Sequence, residues 1–213
     1  MKAHWLLFWV ATGVFLAGCA GKETVPADDL EDPESYYNRA VAYGMQGNYA
    51  RAIRDYTRAI EMNPLFAEAY YSRGVAHGMQ GDYDSAIRDS TQAIQMNPRF
   101  VEAYNNRGVA HGMKGDHDRA IRDYNEALVI HPRYAEAYYN RGNAYWAKGD
   151  RDRAIRDFSR AIEIHPGFAQ AYYNRGVAHG MLGDHPQATR DYGKACELGL
   201  EAGCSMLLEW QAP

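Results

Sequence analysis

A 34-residue period governs this chain. Pro64, Pro98, Pro132 and Pro166 recur at that interval, as do Ala52, Ala86, Ala120, Ala154 and Ala188. Ala59, Ala93, Ala127, Ala161 and Ala195 follow the same rule. Five copies start at Pro33, Ala67, Val101, Ala135 and Ala169, giving units 33–66, 67–100, 101–134, 135–168 and 169–200. Self-similarity at such a period marks a chain whose units stack, each covering an apolar face that its neighbour cannot bury alone.

Within a copy the residues predict helix, turn, helix. Gly47, Gly81, Gly115, Gly149 and Gly183 each end a helical pattern, where a left-handed residue suits glycine. Asn48, Asp82, Asp116, Asp150 and Asp184 come next, each a good N-cap for a second helix. Pro186 fits the first turn of its helix, where a missing N–H costs little. The proline near each copy's end closes the second helix. Tyr36, Tyr70, Tyr104, Tyr138 and Tyr172 should fill the gap between helices, with Tyr56, Tyr124, Phe158 and Tyr192 opposite; Ser90 underfills its place. Leu200 stands where a proline is expected, and residues 201–213 read as a final helix and tail capping the last copy.

Period and pattern resemble the tetratricopeptide repeat, over residues 33 to about 202. The resemblance implies an all-α protein, a right-handed α-solenoid of five helix-turn-helix repeats plus a C-terminal capping helix. It also implies a concave groove lined by the second, fifth, sixth, ninth, twelfth and thirteenth residues of each first helix, and helical spacing agrees. The fifth place holds Tyr37, Tyr71, Asn105, Tyr139 and Tyr173; the sixth holds Asn38, Ser72, Asn106, Asn140 and Asn174. The ninth holds Val41, Val75, Val109, Asn143 and Val177; the thirteenth holds Met45, Met79, Met113, Ala147 and Met181. Glu34, Glu68, Glu102, Glu136 and Gln170 at the second add an acidic margin. Tyrosine gives large amphipathic contact area, asparagine bonds a ligand backbone as donor and acceptor, and methionine adapts its shape. The alternative is that tyrosine and methionine here are only inter-repeat core.

Chaperone-binding members of this family hold a C-terminal carboxylate with lysine and arginine at the second, fifth and sixth places. Those places here carry Glu, Tyr, and Asn or Ser, so a basic or neutral extended peptide fits better. One copy departs from the rest. Trp146 replaces Gly44, Gly78, Gly112 and Gly180, Ala147 replaces methionine, and Asn143 replaces valine. Tryptophan is enriched at binding hot spots. The expectation is a specificity pocket of Asn143 and Trp146, flanked by Tyr139 and Tyr173. The alternative is a tryptophan that plugs a packing gap.

The start of the chain is of another kind. Residues 1–18 carry Lys2 and His4, then an uncharged apolar run from Trp5 to Leu16. That run is shorter than the ~20 apolar residues that span a bilayer and has the length of a secretory signal. Leu16-Ala17-Gly18-Cys19 resembles the bacterial lipoprotein processing site. The resemblance implies cleavage before Cys19, its lipidation, and a membrane anchor, with Ala20 favouring the outer membrane on its periplasmic face. Residues 19–32 are polar and acidic with one proline, and read as a flexible tether.

With Cys19 set aside, Cys196 and Cys204 remain. An exported chain meets an oxidising compartment, and the spacing resembles the paired cysteines of Sel1-type helical repeats. A disulfide is the expectation; two buried thiols are the alternative.

Several classes of function lack support. Net charge is −4, so nothing argues for nucleic acid. There is no phosphate-cradling loop, HExxH or CxxC. His77, His111 and His179 hold one place in different copies, and stacked helices lie ~8–10 Å apart. A shared metal with Zn–N bonds of ~2 Å is then out of reach. No cofactor is expected and no residue is singled out as catalytic. The paired Arg-Asp residues at 54–55, 88–89, 122–123, 156–157 and 190–191 suggest an ion-pair ladder on the outer side, joined by Arg39, Arg73, Arg107, Arg141 and Arg175. The function implied is a non-enzymatic adaptor that holds a protein or peptide at the bacterial envelope. The resemblance extends to adaptor and pilotin-type envelope lipoproteins of this repeat family. A self-associating scaffold, a pilus or secretion assembly lipoprotein, and a cell-wall hydrolase are the alternatives.

Overall fold

The computed structural model describes residues 31–211; Cys19 and the expected signal and tether up to residue 30 lie outside them. The described residues fold into helices with no strand. First helices are α1 (Pro33–Met45), α3 (Ala67–Met79), α5 (Val101–Met113), α7 (Ala135–Ala147) and α9 (Ala169–Met181). Second helices are α2 (Tyr49–Met62), α4 (Tyr83–Met96), α6 (His117–Ile130), α8 (Arg151–Ile164) and α10 (His185–Glu197). A last helix, α11 (Glu201–Gln211), packs on α10.

The turns follow from their residues. Gly81 at φ +82° and its counterparts end the first helices in the left-handed region. The next residue caps the second helix: Asp82 accepts from the Ser85 amide at 3.0 Å, and Asp116 from the Arg119 amide at 3.0 Å. At the other end, Asn63, Asn97, His131 and His165 precede prolines. Their backbone is pushed to extended angles (φ −131°, −128°, −129° and −129°), which stops the helix.

Each helix packs on its neighbours in sequence, and α1 also meets α3, α3 meets α5, and α5 meets α7. Contact between alternate helices makes the first helices an inner wall. The core between them is small residues and rings: Ala52, Ala59, Ala93, Ala127 and Ala161 are fully buried, as are Phe158 and Tyr192. Ala40, Gly74, Gly108, Gly142 and Gly176 share one place that lets second-helix rings approach. A Cβ on Gly108 would stand 2.7 Å from Tyr124 Cε1.

The arginine ladder is real but differs from the sequence expectation. Asp55 pairs with Arg39 (2.6 Å), Asp89 with Arg73 (2.7 Å), Asp123 with Arg107 (2.7 Å), Asp157 with Arg141 (2.7 Å) and Asp191 with Arg175 (2.7 Å). These carboxylates are buried between the two helices of a repeat, not on the outer side. The arginine adjacent in sequence, such as Arg54, is exposed and takes no part. Neighbours in a helix point about 100° apart, so they cannot share a partner facing one way. Each ladder arginine also lies over a tyrosine three residues earlier, as Arg141 does over Tyr138 at 5.3 Å. Four reach back to the preceding second helix: Arg73 to Thr57 (3.1 Å), Arg107 to Thr91 (3.3 Å), Arg141 to Asn125 (2.6 Å) and Arg175 to Ser159 (3.0 Å). The ladder therefore binds helix to helix and repeat to repeat.

The chain closes on a tight contact. Cys196 and Cys204 form a disulfide with Cα atoms 4.6 Å apart. Gly203 lies between them and the core, where an added Cβ would meet Ala195 Cβ at 2.8 Å and the Cys196 amide nitrogen at 2.9 Å.

Candidate functional site

The inner wall has a floor, a set of polar rungs and an apolar edge. The floor is aromatic. Tyr37 packs against Phe66 (ring centroids 5.0 Å) and Tyr56 (5.6 Å), and Tyr139 against Phe168 (4.8 Å) and Phe158 (5.9 Å). Tyr71 stacks on Phe100 at 5.0 Å and Tyr173 on Tyr192 at 5.8 Å. These four tyrosines are half-buried, so each is both core and surface. Burial and the charge of Glu102 push the Tyr71 phenol up to about 12; it stays protonated and able to donate at neutral pH.

Polar rungs join successive first helices. The hydroxyls of Tyr37 and Ser72 stand 3.3 Å apart. Asn140 donates to Asn105 Oδ1 at 3.0 Å. Asn174 donates to Asn143 Oδ1 at 2.8 Å and to the Tyr139 hydroxyl at 3.2 Å. The fourth junction, α3 to α5, has no such rung among the described residues. Asn106 turns inward there and donates to Ser90 Oγ at 2.8 Å. With 2% of its surface exposed, Asn106 does not line the groove, which corrects the sequence expectation. The cause is Ser90. It stands where other repeats bury a ring, and the asparagine amide fills and satisfies the space.

The edge is apolar. Met45, Met79, Met113 and Met181 are exposed at the ends of their helices, and Asn38 is exposed near the start of α1. Glu34, Glu68 and Glu102 are exposed and Glu136 half-exposed at the other margin. None of these four glutamates makes an ion pair, whereas Asp84 and Asp118 are taken by Lys114 and Lys148.

The expected pocket divides. Asn143, Tyr139 and Asn174 form one hydrogen-bonded group, with Tyr173 one residue before Asn174 on α9. Trp146 instead packs against Arg151 of α8, whose guanidinium lies 5.5 Å from the ring centroid. A Cβ on Gly78 or Gly112, at the equivalent place, would stand 3.8 Å from Ala86 or Ala120 of the repeat's own second helix. That place therefore faces the rim and not the floor. A recess of about 500 Å³ opens nearby, lined by Lys148 to Asp152 and Leu182.

Among the described residues no group of three or more His, Cys, Asp or Glu could hold a metal. No described helix is long and apolar enough to cross a membrane. His77 lies near Asp82 (3.6 Å) and Asp89 (3.9 Å), and His111 near Asp123 (4.0 Å), each within its own repeat. Burial lowers both imidazoles below the ordinary 6.5, against the pull of those aspartates.

Stacked helical hairpins with a polar and aromatic inner wall define an α-solenoid of the interaction-scaffold class. Tetratricopeptide-repeat models match residues 37–90, 79–115, 113–149, 135–168 and 158–190, and the chain belongs to the tetratricopeptide-repeat proteins. No curated protein matches it. Among solved structures, a crystal structure of MamA is 28% identical, covering 75% of this chain and 93% of that one, with a TM-score of 0.67. YrrB, described as a TPR protein with an unusual peptide-binding site, is 22% identical, covering 83% and 92%, with a TM-score of 0.63. PilF of Pseudomonas aeruginosa is 15% identical, covering 84% and 88%, with a TM-score of 0.73. The likeness to the last two is one of fold.

Proposed function

We propose that this protein is a non-enzymatic adaptor, held at a bacterial envelope by lipid on Cys19, that grips an extended segment of a partner protein along its inner wall. One observation carries the binding reading. On one side, four of the five repeats present a half-buried tyrosine and four an exposed methionine, and polar rungs join three of the four junctions between first helices. Such a surface offers hydrogen bonds to a peptide backbone and adaptable apolar contact to its side chains. A peptide-binding site on the similarly folded YrrB agrees with it. The anchor reading rests on the Leu16–Cys19 box and the apolar run before it.

Both parts are tested in cells of the source organism. An alkyne-bearing fatty acid should label the protein, and Cys19→Ser should lose the label and leave the envelope fraction. A photo-crosslinking residue at Met79 or Met113 should capture a discrete partner, and one at the outward-facing Arg88 should not. Equal capture from both faces, or full labelling of the serine variant, overturns the corresponding half.

A further inference from the structure

The surroundings of α5 differ from those of the other first helices in three residues at once. Asn105 stands where Tyr37, Tyr71, Tyr139 and Tyr173 stand, so a floor ring is missing. Tyr134 stands where Phe66, Phe100 and Phe168 stand, so a phenol hydroxyl is added beside the gap. Asn106 has turned into the wall toward Ser90, so no rung crosses from α3 to α5. Tyr71 packs against Phe100 at 5.0 Å, two residues before Glu102, and Tyr134 packs on the same core cluster as Val101, the residue beside Glu102. Both rings therefore lie at the Glu102 end of α5; the charge of Glu102 acts on both phenols, joined at Tyr134 by that of Glu136. Asn105 adds its amide oxygen, held in place by the Asn140 amide at 3.0 Å. Glu102 is exposed and makes no ion pair; Arg99 and Arg133 in the adjoining loops do not reach it.

The same set of groups already holds a cation inside this fold. Arg141 lies over the Tyr138 ring at 5.3 Å, pairs with Asp157 through both prongs, and donates to Asn125 Oδ1 at 2.6 Å. Two tyrosine rings (Tyr145 at 6.0 Å as well as Tyr138), a carboxylate and an asparagine oxygen make up that seat. Tyr71 and Tyr134, Glu102 and Asn105 repeat its chemistry on the open inner wall, without an arginine of the chain's own. A guanidinium suits such a seat better than an ammonium, because its planar fork can pair with a carboxylate and stack on a ring together.

Resting on the reading of the inner wall as a peptide groove, we infer that this face of α5 takes one arginine side chain of the bound segment. The guanidinium pairs with Glu102, stacks on the tyrosines and donates to Asn105. The other repeats then hold the peptide backbone and its apolar side chains, and this one sets the register.

The test is to pan a phage-displayed dodecapeptide library on the full chain in non-ionic detergent, then synthesise the best binder. Enriched peptides should share one arginine. Replacing it with glutamine in the peptide, or Glu102→Gln in the protein, should each weaken binding roughly tenfold, with little further loss when combined. Asn105→Tyr, which installs the residue of the other four repeats and should leave the helical circular dichroism unchanged, should also weaken binding. Binders that share no arginine, or that bind the Glu102→Gln protein equally well, overturn the arginine seat. If those binders are still lost with Met113→Glu, the groove reading survives. A library that yields no binder overturns both.

Discussion

Asn106 donates to Ser90 across the junction of the second and third repeats, Nδ2 to Oγ at 2.8 Å, with both side chains buried. The equivalent pair one repeat earlier is Tyr56 and Ser72, a large residue opposite a small one. The two junctions solve one volume problem in opposite ways. Ser90→Ala should leave the Asn106 amide unsatisfied and cost about 1–3 kcal/mol. Ser90→Tyr alone should crowd Asn106 and destabilise. Adding Asn106→Ser should recover much of the loss, because it recreates the Tyr56–Ser72 arrangement. Urea unfolding of the four members of this cycle gives the coupling. Expected is at least ~1 kcal/mol of non-additivity, and simple addition would refute the compensation.

Asp157→Ala removes the partner of Arg141 and leaves a half-buried guanidinium between two helices. The expected cost is about 2–4 kcal/mol, well above that of an exposed pair such as Arg58–Glu61. Asp157→Leu with Arg141→Met should cost less than Asp157→Ala alone, since the charge goes with its partner. Unfolding free energies of the three variants decide it. Equal losses for Asp157→Ala and Glu61→Ala would mean that the ladder does not tie repeats together.

Much of this architecture was readable beforehand, and the misses have physical causes. Glycine followed by Asp or Asn marks every hairpin turn because only backbone geometry and capping act there, and both are local. The floor tyrosines and the methionine edge follow from the resemblance to the repeat family, with which helical spacing agrees. The sequence neighbour Arg156 invites pairing with Asp157, while its partner Arg141 lies sixteen residues earlier on another helix. Every copy keeps that sixteen-residue interval, so the signal was present in the period. The place of Asn106 in the repeat points it to the groove. What moved it is the missing ring at Ser90, a property of packing volume and not of periodicity. The rim position of Trp146 likewise depends on which way a Cβ leaves α7, which a residue alphabet does not encode.

Gly203→Ala should loosen the cap. Its Cβ would press on the Cys196 amide nitrogen and on the Tyr192 carbonyl oxygen at 3.0 Å, and backbone cannot swing aside as a side-chain tip can. The expected loss is about 1–3 kcal/mol. Cys196→Ser should cost about 2–3 kcal/mol under oxidising conditions. Reductant should bring the parent down to the level of that variant while leaving the variant unchanged. Thermal melts with and without reductant check both, and a parent indifferent to reductant would show that the bridge adds nothing to stability.

Acid should weaken the protein before its carboxylates begin to titrate. His77 and His111 are held below 6.5 chiefly by burial, with Asp89 and Asp82 or Asp123 and Asp116 opposing, and Arg73 and Arg88 or Arg107 and Arg119 adding to the depression. The unfolded chain therefore takes up these protons first as pH falls. Stability from the neutral imidazoles is fully present above 6.5 and is lost as pH drops from there toward the folded values. Asp82, held below its ordinary 3.8 by the Ser85 hydroxyl and amide, loses its contribution only at much lower pH. Tyr43 and Tyr145 occupy the same place in other repeats, so His77→Tyr with His111→Tyr is a substitution the fold already accommodates. Urea midpoints from pH 7.5 down to 5.5 should fall for the parent and stay nearly level for the double variant. Parallel declines would mean that other groups set the acid response.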